Sequence, residues 1–170
     1  MIPNAYYKSI FDIDYDKLKK KGYKYLFFDV DNTIISYKED SVNKEILKLF
    51  KKLKKEFSVY IFSNGNSKRV LKIENELGIL GYHFSMKPLK KNYKKVINVF
   101  NKDKCIFIGD QFMTDILGAY RNKLKVILVD PIDKSYEPIT TRFWRKLENI
   151  HLNKLKKKGK FNIYNYYDKI

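Results

Sequence analysis

Four short apolar and aromatic runs constrain this chain more than any other feature: residues 25–30 (YLFFDV), 58–62 (SVYIF), 104–108 (KCIFI) and 125–129 (KVILV). Unbroken runs of this length read as strands buried on both faces, the habit of a parallel sheet. Between them lie segments with helical spacing. Residues 43–55 repeat Ile46, Leu47, Leu49, Phe50 and Leu53 with lysines on the other face, 68–77 close at Gly78, and 92–100 turn Tyr93, Val96, Ile97 and Phe100 inward. Residues 114–120 read as a further helix, 81–85 as a weaker strand, and 14–20 as a short acid-capped helix stopped at Gly22. Strands alternating with helices require right-handed crossovers. The expected fold is therefore of the α/β class, a Rossmann-like open parallel sheet of five strands with helices on both faces.

Open parallel sheets bind their ligands beyond the carboxyl ends of the strands. Asp29 and Asp31 stand at the end of the first run, Ser63 and Asn64 after the second, Lys87 beyond the weak strand, and Asp110 after residues 104–108, with Asp115 one helical turn further on. Carboxylates crowded at one sheet edge repel one another unless a cation sits among them, and all-oxygen ligation selects a hard ion such as Mg²⁺. A hydroxyl, backbone amides and a lysine nearby supply the donors and the positive charge that a phosphate dianion needs.

Composition bounds the remaining possibilities. Apolar residues make up 44% of the 170-residue chain against 32% charged, enough for a stable core in one domain and too apolar for wholesale disorder. The single cysteine, Cys105, excludes an internal disulfide and a multi-cysteine metal site and suits a reducing compartment. No window approaches the roughly 18 apolar residues of a membrane span, and residues 1–11 lack the pattern of a secretion signal. The expectation is a cytoplasmic protein, with room for a peripheral position on a membrane. Thirty-six basic residues against 19 acidic give a net charge of +17, which suits an anionic partner such as lipid headgroups, nucleic acid or a phosphorylated substrate. The Lys, Asn, Ile, Tyr and Phe-rich vocabulary of an A/T-rich genome explains the charge equally well, and only Arg69, Arg121, Arg142 and Arg145 are arginine.

Taken in order, DxDxT at Asp29–Thr33, Ser63 at a strand end, Lys87, and the acidic pair of Gly109-Asp110 with Asp115 resemble the four signatures of the haloacid dehalogenase superfamily of phosphotransferases. Over nearly the whole chain the sequence is similar to one branch, the YqeG-like subfamily related to mitochondrial phosphatidylglycerophosphatases. The opening element of residues 3–18, FDVDNTI, SNGNxxRV, Lys87-Pro88, GDQxxTDxxGAxR and the tail pattern from Thr141 to Glu148 carry that closer likeness. The resemblance implies an Mg²⁺-dependent phosphatase. Asp29 is the implied nucleophile, Asp31 the general acid and base, Ser63 and Lys87 the phosphoryl-binding residues with Asn64 beside them, and Asp29, the Asp31 carbonyl, Asp110 and Asp115 the metal ligands. The implied substrate is phosphatidylglycerophosphate at the inner face of the membrane. A phosphoprotein, a polynucleotide end or a small metabolite remains an alternative, as does a basic RNA- or ribosome-binding protein with a vestigial site.

In that superfamily a cap inserted between the motifs sets specificity, and the spacings here leave no room for one. The expected organisation is one domain over 1–170, with a core at about 22–133 and a basic, aromatic segment at about 134–170. That segment, with a helix over 141–158, has two readings. It either lies at a membrane interface through Arg142, Arg145 and neighbouring aromatics, or packs Phe143, Leu147, Ile150 and Leu155 on the sheet. Arg121 either reaches an anionic substrate or bridges to a carboxylate. Gly118 allows close helix packing, Asn64 and Asn66 shape the turn after Ser63, His83 and His151 are structural or surface residues, and Cys105 is a small core residue. Oligomeric state is left open.

Overall fold

The four apolar runs become four adjacent parallel strands in the computed structural model, which describes residues 1–65, 67–83 and 85–170. In chain order the strands are β1 (Ala5–Tyr7), β2 (Tyr25–Phe28), β3 (Ser58–Phe62), β4 (Leu80–Tyr82), β5 (Cys105–Gly109), β6 (Lys125–Val129) and β7 (Tyr167–Asp168). The helices are α1 (Tyr15–Lys20), α2 (Lys44–Leu53), α3 (Ser67–Leu77), α4 (Lys90–Val99), α5 (Leu117–Arg121) and α6 (Ile139–Lys157). Across the sheet the order is β4-β3-β2-β5-β6-β1-β7.

The sheet is thus larger than the five parallel strands expected. β1 adds in parallel to β6, and β7 closes the edge antiparallel to β1. Strands of three and two residues carry no readable period, and their partners lie at the opposite end of the chain. The Lys169 N–H donates to the Asn4 carbonyl at 3.0 Å, and the Tyr167 hydroxyl to the Pro3 carbonyl at 2.7 Å. Other boundaries shift by a residue or two: β4 begins at Leu80, α4 at Lys90 and α6 at Ile139. Asn66 and Phe84, which belong to the expected turn and weak strand, lie outside the described residues.

Side chains alternate across β2, so one strand serves two cores. Leu26 and Phe28 enter the layer with Leu18, Phe50, Val70 and Ile73. Phe27 points the other way, towards Tyr93, Val96, Leu152 and Leu155. There it stacks on Phe107 at 4.7 Å and on Tyr60 at 5.2 Å, contacts that add about 0.5–1.5 kcal/mol each beyond burial. Gly118 permits the α4–α5 approach, since a Cβ there would lie 2.4 Å from the Tyr93 hydroxyl oxygen. Cys105 is buried in β5, His83 pairs with Glu74 at 3.3 Å, and His151 sits 3.5 Å from the Met1 carbonyl.

α6 settles the packing of the tail. Thr141, Glu148, Leu152 and Leu155 are buried, whereas Phe143 and Ile150 face solvent. Between Thr33 and Ser63 the chain holds only a loop, α2 and β3, and between Lys87 and Asp110 only α4, a short turn and β5, so no cap is inserted. None of the described helices is long and apolar enough to cross a membrane.

Candidate active site

Asp29 follows β2 directly and extends its ladder, donating its backbone N–H to the Ile108 carbonyl at 2.9 Å. The chain then turns tightly. The N–H groups of Thr33, Ile34 and Ile35 converge on the Val30 carbonyl at 3.0–3.2 Å, and Asn32 adopts a φ of +61°. This turn carries Thr33 Oγ1 to 3.3 Å from Asp110 Oδ1 and leaves Asp31 on the same cleft as Asp29. Ser63 ends β3 fully buried, its hydroxyl oxygen accepting the Gly65 N–H at 3.0 Å.

Lys87 reaches the centre from the loop after β4. Asn64 holds that loop with both ends of its amide, donating to the Lys87 carbonyl at 3.0 Å and accepting the Lys87 N–H at 2.8 Å. The side chain of Asn64 is therefore spent on positioning the lysine. Lys87 Nζ donates to Asp29 Oδ1 at 2.7 Å and to Asp115 Oδ1 at 2.6 Å. Burial by itself would pull the ammonium pKa down, but Asp115 and Asp29 more than reverse this, and the group stays protonated. The second oxygen of Asp115 accepts the Gln111 N–H at 3.1 Å. A wide turn over Phe112–Ile116, in which the Ile116 N–H reaches back to the Gln111 carbonyl, aims Asp115 at this spot.

Gly109 is what lets Asp115 in. A Cβ at Gly109 would lie 2.3 Å from Asp115 Cγ, in a strand with no room to retreat. Gly109→Ala is expected to cost about 3 kcal/mol of stability, read by urea denaturation. An unchanged midpoint would show that Asp115 moves aside freely.

Asp29, Asp110 and Asp115 each offer one carboxylate oxygen within 4.8 Å of the others, and all three are buried. Octahedral oxygen ligands at about 2.1 Å from Mg²⁺ lie about 3–4 Å apart, so the triad matches that ion in donor type and spacing. The electrostatics point the same way. Among the described residues, the six carboxylates Asp29, Asp31, Asp110, Asp115, Glu137 and Glu148 form ion pairs with three cations, Lys87, Arg69 and Arg145. Burial, opposed by Lys87 and reinforced by the other aspartates, raises the Asp29 pKa well above the carboxylate range. Burial, opposed by Arg145, pushes Asp110 up to about 7. A divalent cation would offset this excess of negative charge. The Asp31 carboxylate stands outside this triad.

Two arginines complete the site in ways the sequence did not disclose. Arg69 of α3 pairs with Asp31 Oδ1 and also donates to the Ser36 and Glu39 carbonyls at 2.7 and 2.8 Å. Arg145, expected at a membrane or substrate, instead turns inward to Asp110, Glu137 and Glu148. Glu137 also accepts from Asn32 Nδ2 at 3.0 Å, so α6 is tied to the first motif and to Asp110 together. Arg142 is likewise corrected: its guanidinium donates to the Glu137 and Ser135 carbonyls, both at 3.0 Å. Arg121 meets neither substrate cleft nor carboxylate, and donates to the Pro88 carbonyl at 3.5 Å. A usable signal did exist. Lysine dominates the basic residues, and three of the four arginines, Arg69, Arg142 and Arg145, use the planar fork to bind several acceptors at once.

The resulting cleft has a volume of about 410 Å³ and is floored by Asp29, Asp31 and Lys87. Its walls include Tyr37 and, from α6, Thr141 and Trp144. The Tyr37 and Thr141 hydroxyls meet across it at 3.2 Å. The tail helix thus forms part of the cleft wall. Arg145→Met leaves three buried carboxylates short of a partner and is expected to cost about 3–5 kcal/mol. Arg142→Met, which releases two carbonyls near the surface, should cost only about 1 kcal/mol. Equal losses in urea denaturation would count against the inward network.

A family model described as haloacid dehalogenase-like hydrolase matches residues 7–121. The chain is 34% identical over 161 residues to a Bacillus subtilis (strain 168) protein described as probable phosphatase YqeG, a match covering 93% of each chain. It is 26% identical over 171 residues to phosphatidylglycerophosphate phosphatase 1, chloroplastic/mitochondrial, of Arabidopsis thaliana, covering 94% of this chain and 49% of that one. Among solved structures, the putative HAD-hydrolase YfnB of Bacillus subtilis bound to magnesium shares the fold, with a TM-score of 0.54 at 14% identity over 86% of this chain and 92% of that one.

Proposed function

The chain belongs to the haloacid dehalogenase-like hydrolases, and on that premise we propose that it is an Mg²⁺-dependent phosphomonoesterase that dephosphorylates phosphatidylglycerophosphate to phosphatidylglycerol. The observation that carries the reading is Lys87 fixed between Asp29 and Asp115, on a cleft that also presents Asp31. An Asp29 carboxylate oxygen attacks phosphorus in line, forming an O–P bond as the bond to the leaving alkoxide breaks. Asp31 delivers the proton to that oxygen. In the second half, Asp31 takes a proton from water as the water attacks the aspartyl-phosphate, releasing inorganic phosphate and regenerating Asp29. Arg69 engages only Oδ1 of Asp31, leaving Oδ2, beside Gly65, for this proton traffic. Lys87 and Ser63 hold the phosphoryl oxygens. Asp29, Asp110, Asp115 and the Asp31 carbonyl would hold Mg²⁺, which would offset the charge of the phosphoryl group and of the carboxylates around it.

The absence of a cap supports a bulky substrate, and the similarity to the Arabidopsis protein supports a lipid, presented at the inner face of the membrane. The test is phosphate release from phosphatidylglycerophosphate in mixed micelles, beside a panel of soluble phosphomonoesters, with Asp29→Asn as the blank. Preference for the lipid supports both substrate and chemistry. Turnover of soluble esters alone keeps the chemistry and removes the lipid. No release from any substrate, together with steeply salt-dependent RNA binding, would favour an RNA-binding role for the +17 charge. Metal binding has its own readout. Because Mg²⁺ competes with protons for these carboxylates, its stabilising effect on thermal unfolding should grow as pH rises through about 7, the value to which Asp110 is pushed. A pH-independent effect would place the ion elsewhere.

A further inference from the structure

The outer face of α6 is not an ordinary solvated face. At 3.6 residues per turn, positions 139, 143, 146, 150, 154 and 157 fall within about 80° of one another, opposite the buried Thr141, Glu148, Leu152 and Leu155. Ile139, Phe143 and Ile150 on this stripe are 84%, 57% and 55% exposed. Lys146, Lys154 and Lys157 are exposed among and beyond them. The one carboxylate of the helix, Glu148, is on the buried face and paired with Arg145. A helix that buries one apolar face and exposes a second, with only positive charge beside it, has the pattern of an interfacial helix.

We propose that this stripe of α6 docks the protein on an anionic lipid surface, with Ile139, Phe143 and Ile150 entering the boundary between headgroups and acyl chains and the lysines against lipid phosphates. Charge selects the occupant. Two copies meeting through this face would bring their lysines together, whereas an anionic bilayer is of opposite sign. Continuity with the cleft gives the docking its use. Trp144 touches Phe143 edge-on at 6.0 Å and lines the cleft with Thr141, so a surface held by the stripe lies beside the entrance to Asp29. This use rests on the phosphatase reading; the docking itself does not.

Trp144 is the only tryptophan, so fluorescence excited selectively in tryptophan reports on this helix alone. Vesicles of phosphatidylcholine mixed with phosphatidylglycerol should blue-shift its emission and carry the protein down on sedimentation, and vesicles of phosphatidylcholine alone should do neither. The triple substitution Ile139→Ser, Phe143→Ser, Ile150→Ser is expected to weaken sedimentation with mixed vesicles by at least about tenfold while hydrolysis of a soluble phosphomonoester is retained. Lys146→Glu with Lys154→Glu, which leaves the apolar positions intact, should weaken it as well. No binding of the unaltered protein to mixed vesicles, equal binding by both variants, or a dimer that the triple substitution dissolves would overturn the proposal. Vesicle binding without release of phosphate from lipid would leave the docking surface standing and remove the lipid substrate. Turnover of the lipid in detergent without vesicle binding would do the reverse.

Discussion

Asp29→Asn abolishes turnover, by about 10⁴-fold or more, and leaves the protein folded. Asparagine has nearly the same shape and keeps an oxygen to accept from Lys87, whose Nζ lies 2.7 Å from Asp29 Oδ1. What it lacks is an anionic oxygen able to form a bond to phosphorus. The stability outcome has a definite sign. Burial raises the Asp29 pKa in the folded chain, so its ionisation opposes folding increasingly as pH rises above the unfolded carboxylate value. A neutral amide removes that opposition. Metal-free Asp29→Asn should therefore melt no lower than the unaltered protein at neutral pH, while gaining less from added Mg²⁺ because one of three candidate side-chain ligands loses its negative charge. Phosphate release at the unaltered rate would exclude Asp29 as nucleophile. Loss of both activity and structure would show that its charge serves the fold.

Lys87→Met carries the second large effect, and it strikes stability and chemistry together. Lys87 is 7% exposed, and its ammonium is the cation shared by Asp29 and Asp115. Removing it leaves two buried carboxylates facing each other, which is expected to cost about 3–5 kcal/mol in the metal-free protein. The loss should be greater at pH 8 than at pH 5, because Asp29, whose pKa burial raises, relieves the repulsion by taking up a proton at the lower value. Added Mg²⁺ should recover more stability in the variant than in the unaltered chain. Turnover should fall by about 10³-fold even with the ion present, since the ammonium between Asp29 and Asp115 is gone as a donor to the phosphoryl oxygens. Urea denaturation at the two pH values, with and without Mg²⁺, checks the first part and single-turnover phosphate release the second. A variant as stable and as active as the parent would remove Lys87 from the site.

The two halves of the site were unequally legible. Asp29, Asp31, Ser63, Lys87 and Asp110 could be placed because each stands at or just beyond a strand end, and a parallel sheet gathers strand ends at one edge. Asp115 followed from its single-turn offset. The arginines were read wrongly where they were read at all. A basic, aromatic tail suggests an outward surface, yet Arg145 faces Asp110 and Glu137. Its direction depends on which face of α6 meets the sheet, and the spacing of Phe143, Leu147, Ile150 and Leu155 allowed a different face from the one that Thr141, Leu152 and Leu155 bury. Phe143 and Ile150 were then free for the exposed stripe.

By itself the sequence determined the α/β class, the four central strands, the lack of an inserted cap and the chemistry at the strand ends. All of these follow from local hydrophobic runs and from a topology that leaves few alternatives. Only the tertiary structure decided the edge strands β1 and β7, the pairing of Arg69 with Asp31, and the wall that α6 builds beside the cleft. These depend on contacts between residues far apart in the chain, Ala5 with Asp168 and Asp110 with Arg145 among them. Such contacts leave no periodic trace, because their partners are chosen by where the packed sheet happens to bring them.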